Sequence, residues 1–70
     1  MQVLVFKTNL NNRTRVKEVR SFLDVHPCID KWNVDLHDCD KVLRVVSNNI
    51  AAEEVENMLV NAGYYCEELK

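Results

Sequence analysis

Four side chains that commonly bind transition metals occur as two His-x-Cys pairs, His26 with Cys28 and His37 with Cys39. Imidazole and thiolate are both ligands of zinc and similar ions, so the four groups together would suit a tetrahedral site. The stretch 30–36 between the pairs alternates like a strand, and at about 3.3 Å per residue it spans on the order of 20 Å. A single ion in one molecule therefore cannot bind both pairs.

The second pair is the better candidate for a site of its own. His37 and Cys39 lie in a polar connection between two predicted strands, where Asp38 and Asp40 could add oxygen ligands. Residues of these types also form ordinary solvated turns. His37 and Cys39 are therefore a weak alternative site for a soft transition metal, and the main prediction is that no cofactor is bound.

The cysteines are predicted to be reduced thiols. Cys28, Cys39 and Cys66 are an odd number without the close spacing of a disulfide framework. A free cysteine is among the most buried residue types, which predicts that Cys66 is a buried strand residue. No apolar run approaches the roughly 18 residues of a membrane span, and the first residues are a poor signal peptide. We therefore expect a cytoplasmic protein that does not insert into a membrane.

Charge and composition argue against nucleic-acid binding and catalysis. Nine basic and eleven acidic residues give a formal net charge of -2, which provides no overall cationic field for a polyanion. The single glycine excludes a Gly-rich phosphate loop, and neither histidine is paired with a nucleophile at a recognisable spacing. We expect neither an enzyme nor a partner of nucleic acid.

Apolar periodicity predicts six elements in a single domain over 1–70. Alternating or β-branched runs indicate strands, and apolar residues at spacings of three and four indicate helices. The predicted strands are 2–6, 29–36, 42–46 and 64–69, and the predicted helices are 13–26 and 50–62. This βαββαβ order, with right-handed crossovers, predicts an α+β ferredoxin-like open-faced sandwich. Its antiparallel sheet would have the order 4-1-3-2, with both helices on one face.

Four short stretches, in order along the chain, resemble one family of small domains. They are Val16-Lys17-Glu18-Val19, Val34-Asp35-Leu36, Ala52-Glu53-Glu54-Val55 and Asn61-Ala62-Gly63-Tyr64. Together they resemble the heavy-metal-associated (HMA) domain of copper chaperones and of the N-terminal modules of metal-pumping ATPases. The resemblance implies the same ferredoxin-like fold and a role in metal homeostasis.

The resemblance also locates a metal site that this chain has lost. Family members carry a Met-x-Cys-x-x-Cys loop, and the matching positions here hold Lys7, Asn9 and Asn12. Copper(I) prefers thiolates, whereas a neutral amide oxygen is a hard and weak donor. We therefore predict a degenerate site. Asn9 and Asn12 would bind no metal and would instead satisfy free backbone N–H groups at the start of the first helix.

Two more residues flank this loop in the alignment that the resemblance implies. Lys7 would place a positive charge beside the lost site, which disfavours a cation. Tyr64 matches an aromatic residue that packs beside the metal loop in many bacterial members. We predict that Lys7 and Tyr64 are loop-packing residues.

The open side of the sheet is the candidate partner surface. If the side chains facing the helices are those that the resemblance implies, the opposite side carries Val3, Val5, Val42, Arg44 and Val46. Several valines on a solvent face suggest docking of another protein or self-association. Strand propensity alone is the other explanation for them.

The two predicted helices carry opposite charges. Basic residues occupy the wet side of the first helix, and acidic residues begin the second: Arg13, Arg15, Lys17 and Arg20 against Glu53, Glu54 and Glu56. Such charges orient docking partners, although a pair of solvated faces explains them equally well. The overall prediction is a non-enzymatic HMA-like domain that acts through protein contacts. The alternative is a metal carrier that uses His37 and Cys39.

Overall fold

The structure, a computed structural model, describes residues 1–69 and contains the six predicted elements in the predicted order. They are β1 (Gln2–Thr8), α1 (Arg13–Leu23), β2 (Ile29–Val34), β3 (Leu43–Ser47), α2 (Ala52–Asn61) and β4 (Cys66–Glu68). The first helix ends at Leu23 and not at His26, because the approach to Pro27 favours extended backbone and the chain turns there into β2. Neither helix among these residues has the length and apolar character needed to cross a membrane.

The four strands form one antiparallel sheet in the order β2-β3-β1-β4, which is the predicted order counted from the opposite edge. Phe6 pairs with Leu43 and Leu4 with Val45, so the inward residues of β1 and β3 are in register. The register of β2 with β3 shifts between Ile29 and Lys31. The predicted ferredoxin-like fold is confirmed, and β2 and β4 form its two edges.

The core lies between the sheet and the helices. Phe6, Leu43 and Val45 are fully buried on the sheet, and the inward residues of both helices pack into the same cluster. The helical members are Val19 and Leu23 of α1 and Val55 and Leu59 of α2. Because both helices bury their apolar stripes on one side of the sheet, the other side has no covering layer in residues 1–69.

The ends of the helices follow their local sequence. Asn12 caps α1 with its side chain, whereas Ala51, the N-cap residue of α2, forms no side-chain cap. Glu53 and Glu54 lie in the first turn of α2, where the helix dipole favours anions. Gly63 follows α2 with a φ of +93°, in the left-handed region that ends a helix at little cost. The Tyr64 N–H then donates to the Leu59 carbonyl at 2.9 Å.

Candidate functional site

The loop between β1 and α1 occupies the position of the predicted degenerate site. Asn12 ends this loop in an extended conformation, with φ of -153°, and its Oδ1 accepts a hydrogen bond from the Arg15 N–H at 2.9 Å. This bond satisfies one of the N–H groups that a helix leaves without a partner in its first turn. Asn12 therefore acts as the N-cap of α1, as we predicted.

Asn9 has a different partner from the one predicted. Its Oδ1 accepts a hydrogen bond from the backbone N–H of Tyr65 at 2.9 Å, so the prediction that Asn9 satisfies a helix N–H group is wrong. The reason is the sheet register: β4 pairs with β1 and sets Cys66 opposite Thr8, which brings Tyr65 beside Asn9. Asn9 thereby ties the loop to the segment that enters β4.

Further hydrogen bonds hold the same loop. The Asn9 carbonyl accepts from the Asn11 N–H at 2.8 Å and from the Arg15 guanidinium at 2.9 Å. Leu10 is fully buried between the two asparagines, and its N–H donates to the Thr8 hydroxyl at 3.2 Å. The loop is therefore anchored by one buried side chain and by both amide oxygens.

These contacts do not fit a soft metal ion. The side-chain oxygens of Asn9 and Asn12 already accept backbone hydrogen bonds, and an amide oxygen has neither the charge nor the softness of a thiolate. An ion bound by both oxygens would compete with the N–H groups of Arg15 and Tyr65. The loop is organised by hydrogen bonds where the resembling family has thiols.

Lys7 lies outside the loop, which corrects the prediction that it packs there. It is an exposed residue of β1 that alternates with the buried Phe6 and Thr8, so its side chain leaves the sheet on the open side. There its ammonium lies 3.6 Å from an Asp40 carboxylate oxygen, with both side chains more than 40% exposed. A surface ion pair of this kind contributes little to stability.

Tyr64 is half-buried and packs against the core cluster. Loss of hydration raises the pKa of the Tyr64 phenol, the neighbouring Glu18 carboxylate raises it further, and Arg15 has an opposing effect. Tyr64 therefore stays neutral at physiological pH. Its predicted role in packing beside the loop stays a prediction.

The hairpin connection brings together three possible ligands. Asp38, Cys39 and Asp40 each offer one ligand atom, and the three atoms lie within 4.8 Å of one another. His37 is exposed and does not belong to this group. Asp40 also pairs with Lys7, and Asp38 accepts a hydrogen bond from the Asp40 N–H at 2.8 Å. The structure thus groups Cys39 with the two aspartates that we expect to add oxygen ligands, and His37 is not a member of this group.

In the first His-x-Cys pair, the His26 ring is hydrogen-bonded within the fold. The His26 Nδ1 accepts a hydrogen bond from the Cys28 N–H at 3.1 Å, and its Nε2 lies 2.9 Å from a Glu54 carboxylate oxygen. The histidine therefore links the connection after α1 to the first turn of α2. Both ring nitrogens have partners within the fold.

The open side of the sheet contains most of the predicted partner surface. Val3 is 60% exposed and Arg44 is exposed, whereas Val5 and Val46 are half-buried. A shallow depression of about 270 Å³ lies on this part of the sheet. It is lined by Val3, Lys31, Trp32, Asn33, Arg44 and Val46.

Val42 does not belong to that surface, which corrects the prediction. It is only 6% exposed, because the loop that precedes it closes against β1. The Thr8 N–H donates to the Asp40 carbonyl at 3.0 Å, and the Thr8 hydroxyl donates to the Lys41 carbonyl. The Val42 carbonyl accepts from the Asp35 N–H at 2.9 Å, which completes the closure.

The sequence analysis missed two features that lie near each other. Trp32 donates its indole N–H to Asp24 at 2.7 Å, which joins β2 to the end of α1. Beside this contact a groove runs between α1 and β2, with three basic residues of α1 along it. The basic side of α1 along this groove is the part that we predicted, because Arg13, Lys17 and Arg20, four and three residues apart, lie on one face of a helix.

Two solved structures share this fold over nearly the whole chain. One comes from work on crosstalk between Cu(I) and Zn(II) homeostasis, with a TM-score of 0.82, 11% identity, and coverage of 99% of this chain and 100% of that chain. The other belongs to the solution structure of the Atx1-Cu(I)-Ccc2a complex, with a TM-score of 0.86, 14% identity, and coverage of 100% of this chain and 97% of that chain. No protein-family model matches the sequence, and no curated protein matches it. At these identities the likeness shows the fold alone.

Alanine substitutions measure the two asparagine contacts. Asn12→Ala removes the cap of α1 and should lower the free energy of unfolding by about 1 kcal/mol. Asn9→Ala removes the acceptor for Tyr65 and should lower it by about 0.5–1.5 kcal/mol. Asn11→Ala is the matched control, because Asn11 is exposed and accepts only from the Asn12 side chain, so its change should stay below about 0.5 kcal/mol. Urea denaturation checks all three, and equal effects at the three positions would contradict the assigned contacts.

Thiol reactivity should separate the three free cysteines. Cys39 is exposed, Cys28 half-buried and Cys66 buried. Burial raises the pKa of the Cys66 thiol to about 12, and the Glu56 carboxylate adds to the shift. Because the thiolate is the reactive form, iodoacetamide at about pH 8 should modify Cys39 first and Cys66 last, by a margin of about 100-fold. In urea the three rates should converge, and rapid modification of Cys66 in the folded protein would refute its burial.

Proposed function

We propose that this chain is a non-enzymatic HMA-like domain that has replaced the metal-binding thiol pair with asparagines and acts through protein–protein contacts in metal homeostasis. The observation that carries the proposal is the use of both amide oxygens. Asn12 caps α1 and Asn9 accepts from Tyr65, so the loop is closed by the protein itself. The domain would span 1–70 and work in the cytoplasm.

The shared fold supports this assignment. One of the two solved structures concerns Cu(I) and Zn(II) homeostasis, and the other is a Cu(I) complex of Atx1 with Ccc2a. By analogy with those proteins, we propose a place in metal homeostasis and a protein partner for this chain. Both ring nitrogens of His26 already have hydrogen-bond partners, Glu54 and the Cys28 N–H. This agrees with a role in binding and not in catalysis.

The open side of the sheet is the proposed contact surface. Val3 is largely exposed there, Val5 and Val46 retain partial exposure, and Arg44 adds one positive charge. An apolar patch with a charged neighbour suits either another protein or a second copy of this chain. Val42 is left out of this surface because it is buried.

A metal carrier with unconventional ligands is the second candidate function. The observation in its favour is the approach of the Cys39 thiol and the carboxylates of Asp38 and Asp40 within 4.8 Å. A soft transition metal would use the thiolate first, and His37 would have to join from an exposed position. Loss of metal binding in Cys39→Ser or His37→Ala would favour this candidate.

Restoring the thiols tests the proposed loss of the metal site. In a Cys39→Ser background, Asn9→Cys with Asn12→Cys should create binding of one Cu(I) per chain under reducing conditions. The loop then carries the thiol pair of the HMA family, and thiolates are the ligands that Cu(I) prefers. The parent without these changes should show no tight binding in a competition titration with a chromogenic Cu(I) chelator.

Asn9→Ser with Asn12→Ser is the matched control, because serine has the size of cysteine without its sulfur. The serine variant should fold and bind no Cu(I). Tight one-to-one binding by the Cys39→Ser parent would contradict the proposal. A folded double-cysteine variant that binds nothing would show that the loop shape differs from that of the HMA family.

Charge insertion tests the open face. Val3→Asp places a carboxylate on that face, and Val60→Asp on α2 is the matched control, since the two valines are 60% and 56% exposed. Burying a carboxylate in an apolar contact is costly, so Val3→Asp should raise the dissociation constant of any self-association at least about tenfold. Sedimentation equilibrium measures this change. A wild-type chain that stays monomeric at millimolar concentration would exclude self-association and leave a different protein as the partner.

A further inference from the structure

The two edges of the sheet differ in how their backbone is protected. At the β4 edge, the Glu68 N–H donates to a Glu56 carboxylate oxygen at 2.8 Å, so a side chain of α2 occupies this edge. At the β2 edge, no side chain in residues 1–69 forms a hydrogen bond with the strand backbone, and no strand of that part pairs with its outer side. A strand edge with free N–H and C=O groups is a template for another strand.

A groove lies directly beside this open edge, between β2 and α1. It consists of two adjoining cavities of about 420 and 370 Å³, which share Val16, Arg20 and Val34 in their walls. Val16 and Val34 are half-buried and pack against the core, and Leu36 extends the apolar floor. Apolar side chains of an added strand would therefore find a surface to cover.

The rim of the groove is cationic. Arg13, Lys17 and Arg20 form a row along α1, and Lys31 of β2 adds a fourth positive charge. Arg13 is the first residue of α1, and Lys17 and Arg20 lie beyond its first turn. In the described part of the chain none of the four basic residues forms a salt bridge. Because the whole chain carries a net charge of -2, this concentration of positive charge is local.

The acidic residues near the groove have partners of their own. Asp24 accepts the Trp32 indole N–H at 2.7 Å, and Asp30 lies 3.4 Å from the Asn48 side-chain amide. They sit at the end of the groove that lies farther along α1 from Arg13. The row of Arg13, Lys17 and Arg20 is therefore available to bind an anionic group of another molecule.

We propose that the β2 edge binds an extended, acidic segment of a partner protein, which pairs with β2 as an additional strand and lies in the α1–β2 groove. Backbone hydrogen bonds would supply affinity, apolar side chains would cover the floor, and carboxylates would meet the cationic row. This inference rests on the proposed function only in naming a protein contact. Its surface adjoins the open face at β2, where Lys31, Trp32 and Asn33 line both depressions, and differs from it in using α1 instead of β1 and β3.

Other occupants fit less well. A second copy that paired β2 with β2 would bring two cationic rows together, and a second copy that offered β4 would first have to displace the Glu56 carboxylate. Single-stranded nucleic acid needs stacking surfaces and an extended cationic field. The groove offers one tryptophan, whose N–H is already bonded to Asp24.

A synthetic peptide of two Glu-Glu-Val-Val repeats with blocked ends, the Glu-Val peptide, is the probe. Each face of this peptide, when extended, carries both Glu and Val side chains. Titrated into the ¹⁵N-labelled chain, it should shift amide resonances of β2 and α1 and slow amide hydrogen exchange in β2. A peptide of two Lys-Lys-Val-Val repeats, the Lys-Val peptide, has the same apolar content and opposite charge, and it should bind at least about tenfold more weakly. A Glu-Val peptide N-methylated at every residue should also bind more weakly, because neither of its edges keeps N–H donors for pairing with β2.

Variants of the chain complete the test. Lys17→Glu with Arg20→Glu should weaken the Glu-Val peptide at least about tenfold, and Lys17→Gln with Arg20→Gln should weaken it less. Val3→Asp on the open face should leave it unchanged, so failure of this inference can be told from failure of the open-face proposal. The inference is overturned if the Glu-Val peptide does not bind the folded chain, or if the Lys-Val or N-methylated peptide binds equally well. It is also overturned if the shifts fall on β1 and β3 and not on β2 and α1, if a ten-residue oligothymidine binds more tightly, or if the wild-type chain self-associates through this groove.

Discussion

The hydrogen bond from the Tyr65 N–H to the Asn9 side chain joins the two ends of the fold. The pairing of β4 with β1 covers only three residue pairs, and the Asn9–Tyr65 contact extends it by one position into the loop. Because Leu10 is buried next to this contact and Asn12 caps α1 immediately after it, the position of the helix start depends on the last strand. The loop is thus part of the folded framework.

Asn9 and Asn12 therefore have structural roles as hydrogen-bond acceptors, and these roles require no metal. In the HMA resemblance the same positions carry thiols, which would be drawn together by a soft ion. Here one amide holds the helix start and the other holds β4, so the loop keeps its place through neutral hydrogen bonds. Hydrogen bonds within the protein hold this loop in place without a bound metal, which is the basis of the proposed function.

The fold was predictable because its signals are local. The periods of β1, α1 and α2 and the length of each connection determine the βαββαβ order, and few sheet arrangements satisfy that order. The cap by Asn12 was also predictable, since its partner is three residues away. Asn9 was assigned wrongly because its partner lies 56 residues away and is brought near only by the register of two strands.

The errors at Val42 and Lys7 have the same origin. Strand alternation placed Val42 on the open side, but a loop tied to Thr8 closes over it. An alignment placed Lys7 at the loop, but its strand directs it to the open side toward Asp40. The edge position of β2 and the basic side of α1 were both predicted. The groove between them was not, because it depends on how α1 packs against β2, which is a tertiary contact. Tertiary contacts therefore decided the parts of the site that the sequence pattern did not.

The claim that Asn9 is a structural acceptor and not a metal ligand can be measured directly by a long-range HNCO experiment on the doubly labelled chain. We expect a through-hydrogen-bond correlation between the Tyr65 amide nitrogen and the Asn9 side-chain carbonyl carbon, unchanged after one equivalent of Cu(I) is added under reducing conditions. Loss of this correlation on adding Cu(I), together with shifts of the Asn9 and Asn12 side-chain resonances, would contradict the account.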